Sequence, residues 1–397
     1  MSRDVLRMLA DARPAELDPD APVDPATRAA ELARAKTADS HAARAVPRRR
    51  IRPMWGLGLV GAATAAVVAA TTLTGTDTGA GTGPRSGSGS PTTTVRPGPS
   101  GALGTMDART VLLTAAEQAD KQTDSLRAYW YVMTLSRSYM RATSPQGDYT
   151  VLLQDRWETW TPSAPRGTQW NRHEFLGGRP ATEADRAVWQ RAGSPSTFRL
   201  KATVVNKASG AVRTKEAQVD AAPGEPHLDS APVVGGNVYW LGRNVSVKDL
   251  RSLPADPARL KKWLLRWYTG TDPEGGGVPM GADEWLFTVT RGLVVEMPVT
   301  PEVRAAAFRM LAKLKTVRSV GEVTDAQGRT GVAVAVTTKS ANGTLQHRLI
   351  VDPASGSALG DETIVVKPAG ANAHLPAGST LRSTTVVKTA WTDSAPA

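Results

Sequence analysis

"VRSVGEVTDAQGRTGVAVAVTTKSANGTLQHRLIVDPASGSALGDETIVV", residues 317–366, decides the fold. Runs rich in valine, threonine and leucine alternate with three turn signals: Asp325–Gly328, Asn342–Gly343 and Asp352–Gly356. Asn-Gly between two strand patterns is a strong hairpin signal, because both residues tolerate the positive φ of a tight turn. The stretch therefore predicts four antiparallel strands, and "LRSTTVVKTAW" (381–391) predicts a fifth.

Upstream, "SLRAYWYVMTLSRSYM" (125–140) and "YTVLLQDRWETWTP" (149–162) carry the aromatic and β-branched content of long strands. A turn at Pro165–Gly167 leads to "TQWNRHEFLG", and residues 198–220 read as a hairpin turning at 208–210. "NVYWLGRNVSV" reads as one short strand.

Helical patterns lie apart from these. Val111, Leu112, Ala115, Ala116 and Ala119 share a side within 106–124. Thr182 caps "EADRAVWQRAG", with Gly193 as its stop. Asp256–Pro257 and Thr300–Pro301 each pair a cap with a first-turn proline. The first should present Leu260, Trp263, Leu264 and Trp267 on one face; the second Val303, Ala307, Met310, Leu311 and Leu314. "ADEWLFTVTRGLV" is a further helix. Helices segregated from antiparallel strands make an α+β domain, assigned to residues 105–397.

The first hundred residues are different. Arg48, Arg49, Arg50 and Arg52 precede an uncharged run, Met54–Leu73. Twenty helical residues span about 30 Å, the thickness of a bilayer core. With 53 residues ahead of it, the run reads as an uncleaved anchor rather than an export signal. The arginines mark the cytoplasmic side, so the chain is expected to be a single-pass cell-membrane protein with its C-terminal domain outside. Residues 1–53 make a short cytoplasmic helical tail, 54–73 the transmembrane helix, and 74–104 a Gly/Ser/Thr/Pro linker.

Composition narrows the chemistry. Net charge is +11, but residues 1–53 hold 11 Lys/Arg against 8 Asp/Glu, and the one dense basic cluster abuts the apolar run. That is a topology signal and not a nucleic-acid site. The chain has no cysteine, which removes disulfides, thiolate metal sites and thiol nucleophiles. Five scattered histidines show no metal-binding spacing, and neither G-x-S-x-G nor a phosphate loop occurs. His173–Glu174 reads as a surface pair. Asp155 and Glu158, three apart on a strand, should face opposite ways, which argues against a paired-carboxylate site. No enzyme is expected and no cofactor is implied. Ten of the eleven tryptophans lie beyond the apolar run. Core packing explains most of them; the sharper reading gives Trp157, Trp160, Trp170 and Trp240 an apolar ligand cleft.

The stretches "RWETWTP", "FLGGRPATEADRAVWQRAGSP", "LPADPARLKKWL", "PVTPEVRAAAFRMLAKLKTVRSVGEVTDAQGRTGVAVAV" and "RLIVDPASGSALGDE" resemble a family of uncharacterised actinobacterial single-pass membrane proteins. Such proteins are often encoded beside extracytoplasmic-function sigma factors, which implies a regulatory or envelope-stress role. "VDPASGSALGDE" also resembles a strand and turn of the lipoprotein-carrier and periplasmic sigma-regulator folds. That likeness implies a curved antiparallel sheet packed by helices, a half-barrel. The His-x-x-x-Cys-x-x-Cys pattern of zinc-type anti-sigma factors is absent. The resulting expectation is a non-enzymatic envelope sensor or regulator with a sigma factor bound through residues 1–53. The alternative is an envelope carrier of lipid, cell-wall or other hydrophobic ligand.

Overall fold

The computed structural model describes residues 106–396, apart from 206–211, 234, 235, 237, 242 and 274–277. The tail, the expected transmembrane helix, its flanking arginines, the linker and the turn at 208–210 all lie outside the described residues. Among those described, no helix is long and apolar enough to cross a membrane.

Two meanders share one antiparallel sheet. The first is β1 (Tyr129–Ala142), β2 (Tyr149–Pro162) and β3 (Thr168–Pro180), with β6 (His227–Pro232) added at its edge. The second is β9 (Arg318–Thr324), β10 (Thr330–Ser340), β11 (Gly343–Asp352) and β12 (Ser357–Pro368), turning where the sequence predicts. The expected fifth strand, β13 (Thr380–Thr392), does more than extend this meander. It lies between β12 and β1 and joins the halves, in the order β6-β3-β2-β1-β13-β12-β11-β10-β9. A hairpin of β4 (Thr197–Val205) and β5 (Val212–Asp220) attaches through Ala142 opposite Leu200, bringing the sheet to 11 strands. The register shifts at Met133/Thr134, Gln154/Asp155, Ala333/Val334 and Thr363/Ile364, where the regular pairing is interrupted.

"NVYWLGRNVSV" is two short strands and not one. β7 (Val238–Trp240) and β8 (Arg243–Val245) pair as a separate hairpin, with Leu241 at φ +52° in the turn. A positive φ is the backbone that tight hairpin turns use, and it falls here on a leucine.

Helices cover one face of the β9–β13 half. α1 (Ala108–Asp120) buries the five predicted residues, capped by Asp107, whose side chain accepts from the Thr110 amide at 2.8 Å. α3 (Val247–Arg251) and α4 (Pro257–Leu265) follow, then α5 (Ala282–Val295) and α6 (Pro301–Leu311). α4 ends before Trp267, which is 38% exposed and stacks against the Arg243 guanidinium instead of completing the apolar face. The main core joins these helices to Val332, Val334, Val336, Leu349, Val351 and Val386. A smaller core lies at the far end of the first meander. There the β4/β5 hairpin and α2 (Glu183–Arg191) pack Phe198, Leu200 and Val188 on Ala142, Tyr149, Val151 and Leu153.

Candidate functional site

Directly opposed residues on antiparallel strands share a face, so register alone maps what lies between the two cores. One row crosses the helix-bearing face as Asp155, Ser136, Thr384, Asp361 and Leu349. The next crosses as Leu153, Ser138, Arg382, Thr363 and His347. A third places Thr134 opposite Trp157 and Trp157 opposite His173. A polar band thus divides two hydrophobic cores on the face that elsewhere buries valine and leucine.

Half of this band is sealed. Asp361, Thr363 and His347 are buried beneath α5, which inserts Arg291, only 2% exposed. Arg291 Nη1 lies 3.4 Å from Asp361 Oδ1, yet Nε and Nη1 make no hydrogen bond. His347 is held through both ring nitrogens, Nε2 at 3.1 Å from Thr338 Oγ1 and Nδ1 at 3.3 Å from Thr363 Oγ1. Burial, reinforced by the nearby Arg291 and Arg382 charges, lowers its pKa to about 3, so the ring stays neutral.

The other half is open: Arg382, Thr384, Ser136, Ser138, Asp155, Trp157 and His173 keep intermediate exposure. Asp155 Oδ1 and His173 Nε2 lie 2.7 Å apart, each side chain about a quarter exposed. Trp157 stacks on the imidazole with ring centroids 3.9 Å apart and planes 22° from parallel. The two neighbours together fix the ring's position. Among the described residues no serine or threonine hydroxyl is hydrogen-bonded to His173. No group of three His, Cys, Asp or Glu among them is placed to hold a metal. What the open half offers is a patterned surface: one guanidinium, hydroxyls, and a stacked indole–imidazole pair.

The four tryptophans of the expected cleft do not meet on this floor. Trp157 and Trp160 are three apart and so point to opposite faces. Trp160 packs against Tyr131 on the far face, where Trp170 sits directly opposite it on β3. Trp240 is 1% exposed in the main core, stacked on Trp263. The same alternation separates His173 from Glu174, which is ion-paired with Arg156 on the far face and is not the partner of its neighbour. It also separates Asp155 from Glu158, as the spacing predicts. Glu158 accepts from the Tyr131 hydroxyl at 2.8 Å and lies 3.6 Å from Arg172. Burial and this carboxylate together push the Tyr131 pKa well up.

Sequence reasoning missed Asp155–His173, Arg291–Asp361 and Arg382. The first pair becomes readable once the Pro165–Gly167 turn fixes the β2/β3 register. Arg382 and Arg291 carry no local signal; they lie on β13 and α5, and only tertiary packing brings them together.

The chain matches no family model and no curated protein. Among solved structures it is similar to that reported as "Crystal structure of MucB", at 14% identity and a TM-score of 0.22, over 73% of this chain. The chain spans 60% of the length of that protein.

Proposed function

We propose that the chain is a non-enzymatic, single-pass membrane sensor or regulator whose outer α+β half-barrel binds a ligand in the envelope. The observation that carries the binding role is the open polar band: side chains able to recognise a ligand line a helix-bearing face between two cores. The basic-flanked run Met54–Leu73 supports a cell-membrane location with residues 1–53 in the cytoplasm. The family resemblance makes a sigma factor the expected partner of that tail. A flexible linker such as 74–104 transmits a rigid-body signal poorly, so the regulation fits tethering or proteolytic release. The carrier alternative drew on four convergent tryptophans, and their separation leaves it without a specific observation.

The test is affinity purification of the full-length chain from its own membranes. A sigma factor should co-purify, and should be lost when residues 2–45 are replaced by an unrelated sequence. Recovery of no sigma factor, or equal recovery with the replaced tail, rejects the regulatory reading.

A further inference from the structure

Arg382 is the unusual residue of the open band. Its side chain keeps intermediate exposure on the sheet face between the two cores. Among the described residues it donates no hydrogen bond and forms no ion pair. A partly exposed guanidinium with no protein acceptor keeps its paired donors free for an anion from solution. Beside it lies Arg291, buried, with Nε and Nη1 lacking hydrogen-bond acceptors. Asp361 is the one carboxylate acting on both, and it lies 3.4 Å from Arg291. Asp155, two strands from Arg382, is engaged with His173. His347 is neutral and offsets nothing.

Two cations therefore share one anion beside three partly exposed hydroxyls: Ser138 flanks Arg382 in its row, and Thr384 and Ser136 occupy the next. We infer that Arg382, backed by Arg291, is the binding site for a phosphate-class oxyanion, either free or as the phosphate of a lipid headgroup. A guanidinium fork presents paired N–H donors that match a tetrahedral oxyanion, and hydroxyls complete its remaining acceptors. Burial, and next the Arg291 charge, bring the Arg382 pKa down to about 10, as expected where positive charge is undercompensated. This site rests on the reading of the open band as a ligand-binding surface and supplies that ligand's chemistry.

The test is calorimetric titration of the full-length chain, purified in uncharged detergent and chloride buffer, with inorganic phosphate and separately with dihexanoyl phosphatidic acid. Saturable binding of at least one probe is expected. Arg382→Gln should weaken it about tenfold or more, the scale of losing hydrogen bonds to a charged group. Thr384→Asp places a competing carboxylate in the next row without removing the arginine. It should abolish binding while the unfolding midpoint in chloride is kept, and it serves also if Arg382→Gln does not fold. Binding of phosphatidic acid alone assigns the lipid source; binding of both assigns the free oxyanion. No saturable binding of either probe, or unchanged affinity in a folded variant, overturns the site. Neither result bears on whether a sigma factor co-purifies with the tail, so the two readings fail separately.

Discussion

Acidification from pH 7.5 to 5.0 should cost the outer domain about 2 kcal/mol through His347 alone. Its pKa falls from 6.5 in the unfolded chain to about 3 in the fold, first through burial and then through Arg291 and Arg382. Because the folded value is the lower, the unfolded chain takes up the proton first as pH drops. The stabilisation is intact above about pH 6.5 and is lost progressively from there down to about 3. Each pH unit inside that window is worth about 1.4 kcal/mol, and pH 5.0 lies about 1.5 units into it. His347→Gln retains a side chain able to bond Thr338 and Thr363 but does not titrate. Urea unfolding of the full-length chain in chloride buffers, followed by tryptophan emission and far-ultraviolet circular dichroism, gives the measurement. Groups common to both proteins cancel in the comparison. Wild type should lose about 2 kcal/mol more than the variant between the two pH values. Equal losses would show that His347 is not held neutral and would refute the sealed half of the band.

Other consequences are open to simpler tests. Asp361→Asn leaves Arg291 buried without its counter-ion and should destabilise by about 3 kcal/mol, whereas Asp361→Leu combined with Arg291→Met should recover most of that in urea unfolding. Gly356 has φ +70°, and a Cβ there would overlap the backbone of Ala115 and Ala119 in α1. Gly356→Ala should cost about 2 kcal/mol or more, seen as a lower urea midpoint. The absence of native cysteine permits a clean topology assay. In intact cells a membrane-impermeant maleimide should label Thr93→Cys and leave Ala30→Cys unlabelled; the reverse pattern would invert the proposed orientation.

Legibility followed the range of the forces involved. The β9–β12 meander was readable because Asn342–Gly343 and its companion turns are local signals. Helix starts at Thr182, Asp256 and Thr300 were readable because caps act within four residues. The β7/β8 hairpin was not, since Leu241 carries a conformation that its residue type disfavours. The short helix Val247–Arg251 escaped notice although Ser246 and Asp249 form a reciprocal cap, because five residues leave no periodicity to detect. The pairing of β13 with β1 depends on a partner some 250 residues away, and the Arg382–Arg291 grouping on packing of α5 against the sheet, so no local pattern encodes either. The tryptophans scatter for a different reason: abundance suggests a shared surface, while period-two alternation sends Trp157 and Trp160 to opposite faces.

The central position of β13 has a kinetic corollary. Until residues 380–392 have arrived, β1 and β12 each present a bare row of amide and carbonyl groups, the exposed edge that promotes mispairing between chains. The closing contacts join segments some 250 positions apart, a long-loop step that slows folding. A product interrupted at residue 379 would therefore carry two sticky ribbons in place of one continuous sheet, and should aggregate where the uninterrupted chain remains dispersed.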